Sequence, residues 1–388
     1  MFMNNRAGYY VKQLQGDLAY KAFLPNPLPP KPGIQLNSLV KTLSMADQRI
    51  GRLDGLLKNI PNPELFVLMY MKKEAVLSSQ IEGTQASLSD ILEKEEDILS
   101  GITENNDVTT TLNYVKAMDY GLERIRKDKF PLSLRLIKEL HKILLTGVRG
   151  KDKRPGEFRK SQNWIGPEGC PLAAALFVPP PVYEMNDAMG QLEKYLYDEN
   201  NPVLIKCGLI HAQFETIHPF LDGNGRIGRL LITLLLILNN VISEPGLYLS
   251  YYFQKRKIEY YEKLTAIRLS GDWENWLKFF LTGIAETSDN AIELSNNIIK
   301  LRKEYSELVR EKMIRSSTAI QFLDKIFIHP VFTVNEIKNY CNVSYNTAKN
   351  MIIKFKTLGI ITEGSNKHRN RKYFFTKYIS LLNEGTQL

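Results

Sequence analysis

His218-Pro219-Phe220-Leu221-Asp222-Gly223-Asn224-Gly225-Arg226-Ile227-Gly228-Arg229 runs without a break into Leu230-Leu231-Ile232-Thr233-Leu234-Leu235-Leu236. A polar, glycine-rich loop opens directly into a strongly apolar helix, and this juxtaposition constrains the fold more than any other feature. The apolar run, Leu230 to Leu238, falls well short of the ~20 residues a membrane helix needs. Unpaired backbone N–H groups at such a helix start, backed by the helix dipole, form an anion site. Gly223 and Gly225 let the backbone approach a phosphate and accept positive φ. Arg226 and Arg229 are three apart, so they share a helix face and can grip two phosphate groups. Asp222 offers Mg²⁺ a hard oxygen ligand. His218 is the group here that can act as a base near neutral pH.

The plainer reading is a tight turn with two arginines capping a solvated helix. Taken at roughly one in twenty each, the eight specified identities arise by chance on the order of 10⁻¹⁰ per position, and the plainer reading loses. The segment resembles the signature of the Fic (filamentation induced by cAMP) family, His-x-Phe-x-(Asp/Glu)-Gly-Asn-Gly-Arg-x-x-Arg, at every specified position. The resemblance implies a mostly α fold, a Fic-type helical core with a small β-hairpin flap. It also implies transfer of AMP from ATP to a Ser, Thr or Tyr hydroxyl of a target protein, with release of pyrophosphate. His218 would deprotonate the target hydroxyl, Phe220 would fix the loop in the core, and Asp222 would hold Mg²⁺. Asn224 and Arg226 would bind the α- and β-phosphates and Arg229 the γ-phosphate, with Gly223, Gly225 and Gly228 completing the cradle. A kinase relative, Doc, carries lysine at the second motif glycine; Gly225 favours nucleotide transfer.

Upstream, Ser78-Ser79-Gln80-Ile81-Glu82-Gly83 matches the family's inhibitory pattern (Ser/Thr)-x-x-x-Glu-(Gly/Asn). By resemblance, Glu82 would pair with Arg229 and occupy the arginine meant for the γ-phosphate. Gly83 ends the helix as a C′ residue. Residues 153–182, rich in Pro and Gly, read as an exposed hairpin or edge strand similar to the family's flap, which docks the target by backbone pairing. Tyr260, Tyr261 and Arg268 lie where relatives line the adenosine pocket, although aromatic residues at helical spacing also suit a core. His211 reads as a buried, hydrogen-bonded histidine, since no carboxylate completes a metal set at helix spacing.

The remaining organisation follows from pattern and charge. At 44% hydrophobic and 24% charged, the 388 residues exclude wholesale disorder. Cys170, Cys207 and Cys341 offer no disulfide framework, and Met1 to Tyr10 shows no secretory signal, so a soluble cytoplasmic protein is expected. Prolines in residues 24–32 dictate an extended segment laid on a surface. Helical spacing runs through residues 37–57, 64–81, 87–99, 109–125, 132–145, 187–197 and 204–216, with Pro61 and Pro63 suiting a helix start.

From Arg315 onward, eleven Lys and Arg face four Asp and Glu, a net +7 within the total of +9. This basic module reads as helices over 316–328, 333–340 and 344–358, then strands over 359–362 and 372–376, resembling a winged helix-turn-helix domain. Its recognition helix would carry Tyr345, Asn346, Thr347, Lys349 and Asn350, and residues 365–371 would form the wing. Three parts are expected: an N-terminal helical region (1–110), a Fic core (111–300) and the winged helix (310–388). Partners considered are ATP, an unidentified target protein that could be the chain itself, DNA through the winged helix, and a second copy in a homodimer. Protein contact is the alternative use of the winged helix. The competing function is a DNA-binding transcriptional regulator whose core senses nucleotide.

Overall fold

The computed structural model describes residues 5–16, 19–60, 64–148, 150, 152–167, 169–312, 317–364 and 371–386. Among them are fifteen helices and five short strands. The chain opens with an antiparallel hairpin of β1 (Gly8–Gln13) and β2 (Tyr20–Pro25). α1 (Val40–Asn59) turns Ala46, Ile50, Leu53 and Leu57 inward as one stripe, and that stripe packs along α11 (introduced below). α2 (Glu64–Ile81) is buried on nearly every side from Phe66 onward.

Ser87, Asn105 and Ser133 cap α3 (Leu88–Leu99), α4 (Asn106–Arg126) and α5 (Leu134–Leu144) with side-chain oxygens. α6 (Val182–Leu196) begins straight after Pro181. α7 (Val203–Ile217) and α8 (Asn224–Leu238) form the centre, buried along almost their whole length. α9 (Ser250–Lys255) and α10 (Lys257–Ser270) lead to α11 (Trp273–Lys312), a forty-residue helix. Then come α12 (Ser317–Ile328), β3 (Val331–Phe332), α13 (Val334–Tyr340), α14 (Tyr345–Thr357), β4 (Thr362–Glu363), β5 (Tyr373–Phe374) and α15 (Thr376–Asn383). The last three strands form one antiparallel sheet in the order β3-β5-β4.

The C-terminal unit has its own aromatic centre, Phe322 lying 4.4 Å from Phe355 and Phe327 4.9 Å from Phe375. It also packs on α2. Lys73 Nζ donates to the Glu384 carbonyl at 2.6 Å, and Gln80 Nε2 to that of Thr386 at 3.3 Å.

Several expectations are revised. Residues 153–182 do not form a regular hairpin; one antiparallel bridge joins Ile165 and Phe177, with a 3₁₀ turn at Leu172–Ala174. Pro167, Pro171 and Pro179–Pro181 remove the donors a ladder would need. Helix α6 starts five residues before the expected Asp187, because prolines are tolerated where first-turn N–H groups lack partners anyway. The hairpin β1–β2 was not read from the sequence at all. The expected boundaries at 110/111 and between 300 and 310 fall inside α4 and α11. Pro61, Pro63, Arg315, Ser316 and wing residues 365–370 lie outside the described residues, as does the very start of the chain. No helix among the described residues is long and apolar enough to cross a membrane.

Candidate active site

Helix α7 ends at His218, whose backbone is left-handed (φ 51°, ψ 59°) while its N–H still bonds the Phe214 carbonyl at 2.9 Å. That conformation turns the chain sharply into the loop before α8. Phe220 anchors the loop, fully buried and stacked on His141 at 3.7 Å. The Asn224 side chain brackets the Phe220 backbone, accepting its N–H and donating to its carbonyl, both at 2.8 Å. His141 ties in the other end. Its Nδ1 accepts the Gly156 N–H at 2.9 Å, so Nε2 carries the proton and donates to the Asp222 carbonyl at 3.0 Å. From residues 153–182, Arg159 Nε donates to the His218 carbonyl (3.1 Å) and Asn163 Nδ2 to that of Phe220 (2.9 Å). His141, Arg159 and Asn163 were not singled out in the sequence; their partners are backbone atoms, which leave no residue pattern.

Gly223, with φ +80°, caps α8, whose first-turn N–H groups lack helical partners, and Gly225 of that turn lines the cleft. Asp222 Oδ1 accepts the Gly223 N–H at 2.6 Å and a longer contact from Arg226 at 3.4 Å. Both use one oxygen. The other is not hydrogen-bonded within the described residues, and no cluster of three His, Cys, Asp or Glu side chains occurs among them. One half-exposed carboxylate beside an anion cradle suits Mg²⁺, which takes few protein ligands and completes its shell with phosphate and water.

Buried Arg229 is already engaged. Its guanidinium donates to Ser78 Oγ and the Ser78 carbonyl, each at 2.9 Å, and to Glu82 Oε1 at 2.6 Å. Glu82 reaches it from the turn that ends α2, where Gly83 has φ +98°. A Cβ on Gly225 would sit 2.1 Å from Glu82 Oε1, so the carboxylate rests against the first turn of α8. Burial would raise the Glu82 carboxyl, but the charge and hydrogen bond of Arg229, then Arg226, hold it below the usual range. Burial opposes the Arg229 charge, and Glu82 with Tyr260, Tyr261 and Glu215 together outweigh it.

These groups line a cleft of about 700 Å³. At its head His218 is pushed down to about 4, first by burial and then by the Arg268 guanidinium, so its imidazole is neutral and ready to accept a proton. Tyr261 is 42% exposed at the mouth, whereas Tyr260 is core, its hydroxyl 2.9 Å from His211 Nε2. His211 is buried and hydrogen-bonded, as expected. Two further residues escaped the sequence reading. Glu215 lines the cleft, its buried Oε1 without a hydrogen-bond partner among the described residues and its carboxyl pushed up to about 7 by burial. Tyr10 also reaches the cleft, from the N-terminal hairpin.

Each end of the Asn224 amide holds the Phe220 backbone, with one Nδ2 N–H and the backbone N–H not engaged there.

Comparison with known proteins places this geometry. The pattern of the Fic/DOC family N-terminal region matches residues 40–123, and that of the Fic/DOC family matches residues 131–236. A probable protein adenylyltransferase of Aquifex aeolicus (strain VF5) is 29% identical over 280 residues, 69% of this chain and 76% of that one. Protein adenylyltransferase Fic of Drosophila yakuba is 31% identical over 131 residues, 32% of this chain but only 24% of the fly protein. Among solved structures, a Fic family protein from Desulfovibrio desulfuricans G20 aligns with a TM-score of 0.55 at 17% identity, covering 87% of this chain and 95% of that one. A Fic domain containing signaling protein from Bacteroides thetaiotaomicron VPI-5482 aligns at 0.50 with 16% identity, covering 64% and 95%.

Proposed function

The chain carries both modules of the Fic/DOC family, and on that premise we propose that it is a protein adenylyltransferase held in check by Glu82. In the reaction, the target hydroxyl oxygen bonds the α-phosphorus of ATP, the bond from that phosphorus to the bridging oxygen breaks, and pyrophosphate leaves. The hydroxyl proton passes to neutral His218. The N–H groups at the start of α8 and Arg226 receive the inner phosphates, and Arg229 the γ-phosphate. Asp222 would hold Mg²⁺, which when bound would supply charge neutralisation to the phosphates. Displacement at phosphorus asks the protein for positioning and charge rather than a covalent nucleophile, and the cleft supplies both. The observation that carries this reading is the Glu82–Arg229 pair at 2.6 Å, a carboxylate seated against the cradle within reach of His218. It matches a site built for anions and held by an internal one.

The test uses ATP labelled at either end. The Glu82→Gly chain with α-labelled ATP should label protein covalently, itself included, and His218→Ala should not. Label arriving only from γ-labelled ATP would indicate a kinase. Nucleotide binding without covalent label would indicate a sensor.

A second reading concerns the C-terminal unit, the four helices α12 to α15 and a small sheet, read as a winged helix. Tyr345, Lys349 and Arg371 border a cavity of about 350 Å³ between α14 and β5, a face suited to a phosphate backbone. Arg371 pairs with Glu363, however, and Lys372 with Asp97 at 2.7 Å, so part of the wing charge is neutralised within the chain. Fluorescence anisotropy of the full chain with duplex DNA across a salt series tests it. Binding that weakens steeply with salt supports DNA contact; none supports protein contact.

A further inference from the structure

The cleft lining is mixed. Besides the start of α8 and the charged groups, it includes Tyr10, Trp164, Phe177, Leu264 and Leu269, an apolar surface a base can use when the phosphates sit at α8. Trp164 and Leu269 of this surface are 41% and 61% exposed, held open as a flat ring would need.

One of its members comes from β1. The Tyr10 ring meets Phe23 edge-on at 5.1 Å, Phe23 lies 6.1 Å from Phe177, and the Arg268 guanidinium sits 3.9 Å over Phe177. The hairpin is fastened to the elements that carry the site. Arg6 grips the Glu274 carboxylate at 2.9 and 3.1 Å, Asn5 Nδ2 donates to the Arg268 carbonyl at 3.0 Å, and the Phe23 N–H donates to the Val178 carbonyl at 2.9 Å. Gln213 Nε2, on α7, donates to the Asn26 carbonyl at 2.9 Å. Tyr10 is thus placed by contacts reaching back to α7, α10 and α11. The hairpin lies outside both matched regions, residues 40–123 and 131–236.

We propose that Tyr10 is a specificity-determining residue that borders the nucleobase in the cleft, its ring forming a wall against a purine. The proposal rests on the nucleotide reading above and deepens it. The ring acts through its face and apolar edge, so phenylalanine can replace it and alanine cannot.

Calorimetric titration of the Glu82→Gly chain with ATP and, separately, inorganic triphosphate tests base and phosphate contacts independently. Adding Tyr10→Ala should weaken ATP by about tenfold and leave triphosphate within about twofold, while Tyr10→Phe keeps both. Arg6→Ala, which loosens the hairpin from Glu274, should show the same selective loss. Triphosphate binding doubles as the check that the site is folded. If Tyr10→Ala binds ATP as before, or loses both ligands alike, the assignment is overturned. If the Glu82→Gly parent binds neither ligand, the nucleotide reading itself fails.

Discussion

His218 holds a left-handed backbone, at a cost that an L-residue accepts only where its surroundings enforce it. Here the enforcement is visible in the bonds from Arg159 and Asn163 to its carbonyl. Replacing it by alanine should cut AMP transfer by about 10²–10⁴-fold, the usual worth of a positioned base, with calorimetric ATP affinity retained. Its depressed pKa also sets a direction. The imidazole accepts a proton only when neutral, so protonation stops transfer as pH falls towards about 4 rather than through the ordinary 6.5. A pH–rate profile of the Glu82→Gly chain should therefore show no acid limb near 6.5 from this group. At the same scale, Glu82→Gly should raise covalent labelling by about tenfold or more, since it frees a charge-assisted pair from the γ-phosphate position. Equal labelling of the two chains would remove the brake.

Element by element, the loop before α8 is fixed by groups that arrive from α5, from residues 153–182 and from α8 itself. Truncating Phe220 to alanine removes a fully buried ring from the middle of these contacts and should cost about 3–5 kcal/mol of stability, measured by urea unfolding. Helix α2 is held from its far side. Gln80 donates to the Ala86 and Thr386 carbonyls and accepts from Gln254 Nε2 at 3.0 Å, two residues before Glu82. Gln80→Ala should loosen that end and raise labelling about two- to fivefold, less than Glu82→Gly, because an unpaired buried carbonyl costs about 1–3 kcal/mol. No rise would mean that the brake is set by its contact with Arg229 alone.

Across the whole molecule, burial shifts acid and base groups in opposite senses. His141, His218 and His329 are pushed down to about 4 and His211 to about 3, while Glu74 and Glu215 are pushed up to about 7, burial being the largest cause in each. Between pH 5 and 6 the unfolded chain binds protons at the histidines that the folded chain refuses, so these make stability rise with pH. The two carboxyls bind protons in the folded chain that the unfolded one has lost, so they make stability fall as pH rises. Asp47, Glu96 and Asp119 are raised in the same sense as the two carboxyls, by burial first. With the histidines as the larger set of strongly displaced groups, unfolding free energy should increase from pH 5 to pH 6. Urea titrations at the two pH values check the sign; a decrease would show that the carboxyls dominate.

Composition and spacing were enough to read α1 to α8 and α12 to α14, because an amphipathic or wholly apolar stretch has few other ways to bury itself, whereas α9, α10, α11 and α15 were not read. The polar loop before α8 was legible too, because its groups act together as neighbours in the chain; Glu82, whose partner Arg229 stands 147 residues away, was singled out only by the family resemblance. Tertiary structure alone decided the rest. Tyr10 and Glu215 join the cleft from elements with no chemical signature of their own, and His141 and Arg159 act on backbone atoms, which every residue possesses. The bridge that replaced the expected flap hairpin, and the hold of Asn224 on Phe220, follow from what stands opposite in space. Which groups face one another depends on how helices cross, and a linear pattern carries only the face each helix turns inward.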